Sequence, residues 1–194
     1  MAICSPRDWA RPCSCMTRTT SCGKTTNCRS SSAGNTRGIS QQGAKSNEGY
    51  GFSVFEFNDG TISGNTATSN EEYGFSVFEF NDGTISGNVA SSNGSRGFSL
   101  SEVNGGTISG NTANNNGDDG FEVSTFNDGT IRDNTSYENN HDGFVVGANF
   151  SGTMLDNTSQ SNDFSGFVWS TFDGTMTGNT AVSNNIDGFH GSFI

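Results

Sequence analysis

Residues 51–73 read GFSVFEFNDGTISGNTATSNEEY, and residues 74–96 read GFSVFEFNDGTISGNVASSNGSR. Two adjacent 23-residue stretches this alike are one structural unit used twice, and the period runs outward in both directions. Gly-Phe pairs open at Gly51, Gly74, Gly97, Gly120, Gly143 and Gly166, then at Gly188 after 22 residues, where Phe172-Asp173-Gly174 replaces the four-residue turn. Upstream, Ile39, Gln42, Ala44 and Asn47 sit 23 before Ile62, Asn65, Ala67 and Asn70. The pattern then stops, because Arg29 falls where a Phe is required. The array is therefore expected over 38–194, as about six full coils with partial coils at both ends.

Each unit alternates apolar and polar residues in short bursts separated by turn residues. Phe52 and Val54 oppose Ser53 and Phe55, Ile62 lies between Thr61 and Ser63, and Asn65 and Ala67 oppose Thr66. Asn-Asp-Gly and Ser-Gly mark the corners. Three short strands and three corners leave no room for a helix. Such a strand finds its partner in the equivalent strand of the next unit, in parallel. The fold class is all-β, a parallel β-helix (solenoid) of 23-residue coils with three short strands per coil.

Stacking coils about 4.8 Å apart turns each position into a column. Phe52 to Phe189, Val54 to Trp169 and Ile62 to Met176 are interior columns. Ala67, Ala90, Ala113, Ser136, Ser159 and Ala181 form a narrow one. Two structural ladders are asparagine: Asn65, Asn88, Asn111, Asn134, Asn157 and Asn179, and Asn70, Asn93, Asn116, Asn139, Asn162 and Asn184. Their amides donate to one neighbouring coil and accept from the other, which removes the cost of burying them. The corner column Gly64, Gly87, Gly110, Asp133, Asp156 and Gly178 is expected at positive φ.

Composition agrees with this. The 194 residues include 27 Gly, 24 Asn, 16 Phe and only two Leu, unlike a helical bundle or a cofactor-binding α/β enzyme. Residues 1–47 hold seven of the nine Lys/Arg against one acid, a net of +6. Residues 48–194 hold two against 19 acids, a net of −17, which argues against nucleic acid as a partner. No apolar run has the length of a membrane span.

The repeat resembles the parallel β-helix coils of the pectate-lyase-like superfamily, in its Gly-aromatic, Asn-x-x-Ile and Asn-rich positions. That resemblance covers about 157 residues and implies a right-handed coil. It implies no single function, because the superfamily holds lyases, hydrolases, uronan epimerases, tailspikes and binding scaffolds. The expected role is a non-enzymatic scaffold or surface-binding rod, with carbohydrate or end-to-end self-association as the partner class. The last unit ends without a polar cap, and Phe55, Phe78, Val145 and Val168 have outward parity, so a homo-oligomer or longer assembly is expected.

Two alternatives stand beside it. Thr61, Thr84, Thr107, Thr130, Thr153 and Thr175 make an outward binding column that resembles the ice-binding faces of β-helical antifreeze proteins, although Arg132 and Leu155 interrupt the companion column. A polysaccharide lyase, hydrolase or epimerase would need acids beside a base. Asp119, Arg132, His141 and Asp142 are the catalytic candidates, with Asp118 and Glu138 nearby. No cofactor and no metal site is expected, and calcium at the turn acids Asp59, Asp82, Asp128 and Asp173 is the exception considered.

Residues 1–37 are basic and rich in Ser and Cys, without periodicity. They are expected to be disordered or a removable presequence, which in its acid-poor composition resembles an organelle transit peptide. A metal- or disulfide-stapled cap using Cys4, Cys13, Cys15, Cys22 and Cys28 is the alternative. The residues do not fix localisation; an extracellular or cell-surface setting suits the array better than another.

Overall fold

The computed structural model describes residues 28–31, 38–58, 60–147 and 150–193. The strands form three parallel sheets that run the length of the array. The first sheet has eight strands, from Cys28–Ser31 through Phe52–Asn58 and Phe98–Asn104 to Phe189–Phe193. The second has seven, from Ile39–Ser40 to Thr175–Thr177, and the third has seven, from Gly43–Lys45 to Thr180–Val182. Every strand pairs with its counterpart one coil away, as in Thr107 opposite Thr84 and Thr130. This is the β-solenoid the period requires.

The first sheet departs from expectation at its start. Cys28 lies opposite Phe52 and Ser31 opposite Phe55, a spacing of 24 rather than 23. One extra residue brings a strand into the sheet although Arg29 breaks the sequence column, so this face begins ten residues before residue 38. Cys4, Cys13, Cys15, Cys22 and the other expectations placed on residues 1–27 lie outside the described residues.

The core consists of the expected columns and one more. Phe52, Phe75, Phe98, Phe121, Phe144, Phe167 and Phe189 stack with centroids 4.7–4.9 Å apart and planes within 6°. That spacing is the rise between parallel strands, so the backbone sets the ring geometry rather than the rings' own preference for offset or edge-on contact. The added column is Val103, Phe126, Phe150 and Phe172, all buried. It arises because the long strand changes phase: Phe98 and Leu100 point inward, Glu102 is exposed, and Val103 is buried again. Strict alternation along the sequence places this column outside, which is why period-2 reading misses it.

Corners are set by backbone conformation and by room. Gly64, Gly87, Gly110, Asp133, Asp156 and Gly178 all have φ between 52° and 68°, as the corner column requires. A second left-handed corner, at Ser69, Ser92, Asn115, Glu138, Ser161 and Ser183, has φ of 53–55° without a single glycine. The Gly of each Gly-Phe pair serves a different need. A Cβ on Gly97 would lie 2.8 Å from the Cβ of Ala113 and 2.7 Å from the carbonyl oxygen of Gly120. Small residues on both sides let the coil close there.

Both asparagine ladders form. The Asn88 amide donates to Asn111 Oδ1 at 2.9 Å and to the Ile62 carbonyl at 2.8 Å, while its own oxygen accepts from the backbone and amide of Asn65. The second ladder repeats this, with Asn93 donating to Asn116 Oδ1 at 3.0 Å and to the Ala67 carbonyl at 3.2 Å. Among the described residues no buried side-chain polar atom lacks a partner.

Candidate functional site

In a repeat array the interior columns keep one residue type, so a functional site is sought among the outward columns that do not. The corner entering the first sheet is such a place. Just before the Gly-Phe pairs, one column reads Tyr50, Tyr73, Arg96, Asp119, Asp142, Ser165 and Asp187. The column beside it reads Gly49, Glu72, Ser95, Asp118, His141, Phe164 and Ile186. The parallel register stacks these unlike side chains into one edge along the molecule.

The edge is continuous. Tyr50 and Tyr73 lie 5.2 Å apart between ring centroids, and the Arg96 guanidinium sits 5.7 Å over the Tyr73 ring. Arg96 Nε is 3.3 Å from Asp119 Oδ2 and 3.4 Å from Asp118 Oδ2, and its Nη1 is 2.7 Å from Glu122 Oε2. His141 Nδ1 lies 2.6 Å from Asp119 Oδ1, 3.2 Å from Asp142 Oδ2 and 3.9 Å from Asp118 Oδ1. The His141 ring then packs 4.2 Å from that of Phe164, which is 41% exposed.

Two of the acids also belong to the scaffold. Asp119 Oδ1 accepts the Asp142 backbone N–H at 3.1 Å, and Asp142 Oδ1 accepts that of Ser165 at 2.7 Å. They stand in for a third ladder beside the two asparagine ones. Burial raises the Asp142 carboxyl above its usual range and Asp119 adds to this, against the Ser165 N–H and His141. At His141 burial disfavours the charged ring, but the Asp119 hydrogen bond and charge, then Asp142 and Asp118, outweigh it and raise the imidazole. Burial likewise opposes the Arg96 charge and is outweighed by Glu122, Asp119 and Asp118.

The structure thus brings Asp119, His141 and Asp142 together, and adds Asp118 and Glu122. It separates Arg132 from them. Arg132 lies on the second sheet, exposed, with Asp133 as its ion-pair partner. The arginine of the site is Arg96, 23 residues before Asp119 and therefore directly below it in the stack. The period itself is the signal in the sequence that points to Arg96. Glu138, also grouped with His141 by sequence, bonds Asn115 at 3.3 Å on another corner.

One group among the described residues, Asp118, Asp119 and His141, has ligand atoms within 4.8 Å of one another and could hold a cation. The turn acids lie elsewhere. Asp82 and Asp128 flank Gly105 in an open hollow of about 460 Å³ with Asn104 and Asn127. Asp173 is exposed, and Asp59 lies outside the described residues. A second hollow, of about 480 Å³, opens over Trp169, Phe172, Met176 and Phe189 of the last coil and holds no ionisable group.

The Thr column stands in register across the second sheet, from Thr61 to Thr175. Its companion column runs Ser109, Arg132, Leu155, so the face changes shape and charge midway. Of the outward apolar residues, Phe55 and Phe78 are exposed and stacked at 5.0 Å, whereas Val145 and Val168 are half-buried. Among the described residues no helix is long and apolar enough to cross a membrane.

The family model for the right handed beta helix region matches residues 19–189. A mutant of the periplasmic alginate epimerase AlgG is similar in structure, with a TM-score of 0.68 at 20% identity over 79% of this chain and 39% of that one. The A-module of the Azotobacter vinelandii mannuronan C-5 epimerase AlgE4 gives 0.61 at 20% identity, over 80% of this chain and 53% of that one. The chain therefore spans about half the length, or less, of these solved structures. No curated protein matches it in sequence.

Proposed function

We propose, for a chain that belongs to the right-handed beta helix family, that it is a polysaccharide-binding rod which holds its ligand along the Tyr50–Phe164 edge without transforming it. The observation that carries this reading is the edge itself. It joins aromatic side chains at Tyr50, Tyr73 and Phe164 to an Arg96–Asp–His141 polar centre in one continuous stack. Aromatic rings supply apolar contact with fixed geometry, and the polar centre supplies directional hydrogen bonds. Five coil steps of about 4.8 Å make the edge roughly 24 Å long, the dimension of an extended chain ligand.

Affinity electrophoresis through gels containing soluble polysaccharides tests this reading. Retardation of the wild type, reduced by Tyr73→Ala and Phe164→Ala but not by Thr107→Ala, is the expected outcome. Mobility unchanged by every polymer would sink it.

A second reading is favoured by the Asp119–His141 contact. A buried carboxylate 2.6 Å from an imidazole is a proton-handling pair, and both similar solved structures are epimerases. Against it, no inserted loop among the described residues walls the edge to exclude water. Incubation with alginate followed by proton NMR separates the two, because epimerisation changes the uronate signals and binding does not. The Thr column is read as strand-forming surface, so no thermal hysteresis is expected in ice-growth assays.

A further inference from the structure

Whether a glycan that bears charge can use this edge depends on its cations, and both are already engaged. The Arg96 guanidinium contacts three carboxylates, Asp118, Asp119 and Glu122, and covers Tyr73 with its face. His141 is surrounded by Asp118, Asp119 and Asp142. Of the remaining cations whose side chains are described, Lys45 stands on the third sheet, Arg132 on the second, and His190, beyond Phe164 on the last strand of the first sheet, is held by Asp187 at 2.9 Å. Four carboxylates thus meet two cations, within a body of net charge −17 over residues 48–194.

A uronate or sulfate group laid on this edge finds a repulsive field and, among the described residues of the edge, no unpaired positive partner. Sugar hydroxyls face no such obstacle. They donate to carboxylate oxygens in charge-assisted hydrogen bonds, and the apolar faces of the sugar rings pack on the exposed part of Phe164 and the uncovered edges of the half-buried Tyr50 and Tyr73. We infer that the edge takes an uncharged polysaccharide, and that Glu122 and Asp118, by holding Arg96, exclude anionic glycans. Specificity here comes from a repulsive element rather than an added contact. The inference rests on the polysaccharide reading above and narrows its ligand class. It also separates this chain from its structural neighbours, whose names place them on alginate and mannuronan.

The test is affinity electrophoresis of the full chain in a neutral β-glucan, a galactomannan, alginate, polygalacturonate and a polyglucosamine, at low and moderate salt. The wild type is expected to bind at least one neutral polymer about tenfold or more tightly than either polyuronate. Its polyuronate binding should improve as salt screens the repulsion. Glu122→Gln, and separately Asp118→Asn, should shrink the neutral-to-anionic ratio several-fold, with folding of each checked by far-UV circular dichroism. The inference is overturned if the wild type binds alginate as well as a neutral glycan, if the polyglucosamine alone binds, or if both folded variants keep the full ratio. Failure to bind any polymer defeats the polysaccharide reading itself, whereas a preference for alginate leaves that reading standing and removes only the inference.

Discussion

Two kinds of glycine in this chain predict two different costs. Gly110 has φ of 61° and open space where a methyl group would stand, so Gly110→Ala meets only the left-handed conformational penalty of about 1–2 kcal/mol. Asp133 and Asp156 already occupy the same corner, and Gly110→Asp should cost less than Gly110→Ala. Gly97→Ala drives a methyl group against Ala113 and the Gly120 carbonyl in the coil interior, where neither neighbour can move away. Urea denaturation should rank Gly97→Ala as clearly the more damaging. Equal midpoints would contradict the packing account.

His141 gives a pH prediction at the same scale. Its imidazole is raised in the folded state, so it adds stability that is complete below the ordinary value of about 6.5 and is lost as pH rises through the folded value. Asp142 is raised as well, which makes stability fall as pH climbs through the range just above the usual carboxylate value. Melting temperatures of the wild type and His141→Gln should therefore differ most at mildly acidic pH and converge towards alkaline pH. A constant difference would show that the Asp119–His141 contact contributes through packing alone.

The ladders decide stability at the level of the element. Asn111→Ala removes the donors to the Ile85 carbonyl and Asn134 Oδ1 and the acceptor for the Asn88 backbone and amide, leaving buried groups of the coil below without their partner. At about 1–3 kcal/mol per orphaned group, the loss should reach several kcal/mol in a denaturant titration. This much is legible in the sequence, because a column of Asn at period 23 has few other uses. The long strand is less legible. Its phase change between Leu100 and Val103 lies in backbone geometry, and the letters alone leave Phe126 and Phe150 out of the core. The candidate site is half legible: Asp119, His141 and Asp142 follow from corners of neighbouring coils, one period apart. Nearness in sequence favours Arg132, whereas stacking by one period delivers Arg96 to the site instead.

For the whole molecule, the near-identity of the first two full units predicts modularity. Removing Gly51–Tyr73 leaves Tyr50 followed by Gly74, the same junction as before, and each remaining strand still meets a counterpart in register. Tyr50 then takes the place of Tyr73 beside Arg96. Since the stability of stacked repeats is close to a sum of unit and neighbour terms, the shortened chain should fold with a lower melting temperature and an unchanged β spectrum. Removing 22 residues instead, Gly51–Glu72, leaves residues 74–194 in register and puts one extra residue at the junction with the first partial coil, so it should lower the melting temperature further than the 23-residue deletion.

The turn after the long strand has already absorbed such a change. Phe126 pairs with Phe150 across 24 residues and Phe150 with Phe172 across 22, yet all three rings share one column and the next Thr strand resumes its register. Length variation at this corner is therefore neutral to the core on either side. A peptide epitope or recognition loop grafted there would be displayed on a rigid spacing ruler, at intervals fixed by the coil rather than by the insert.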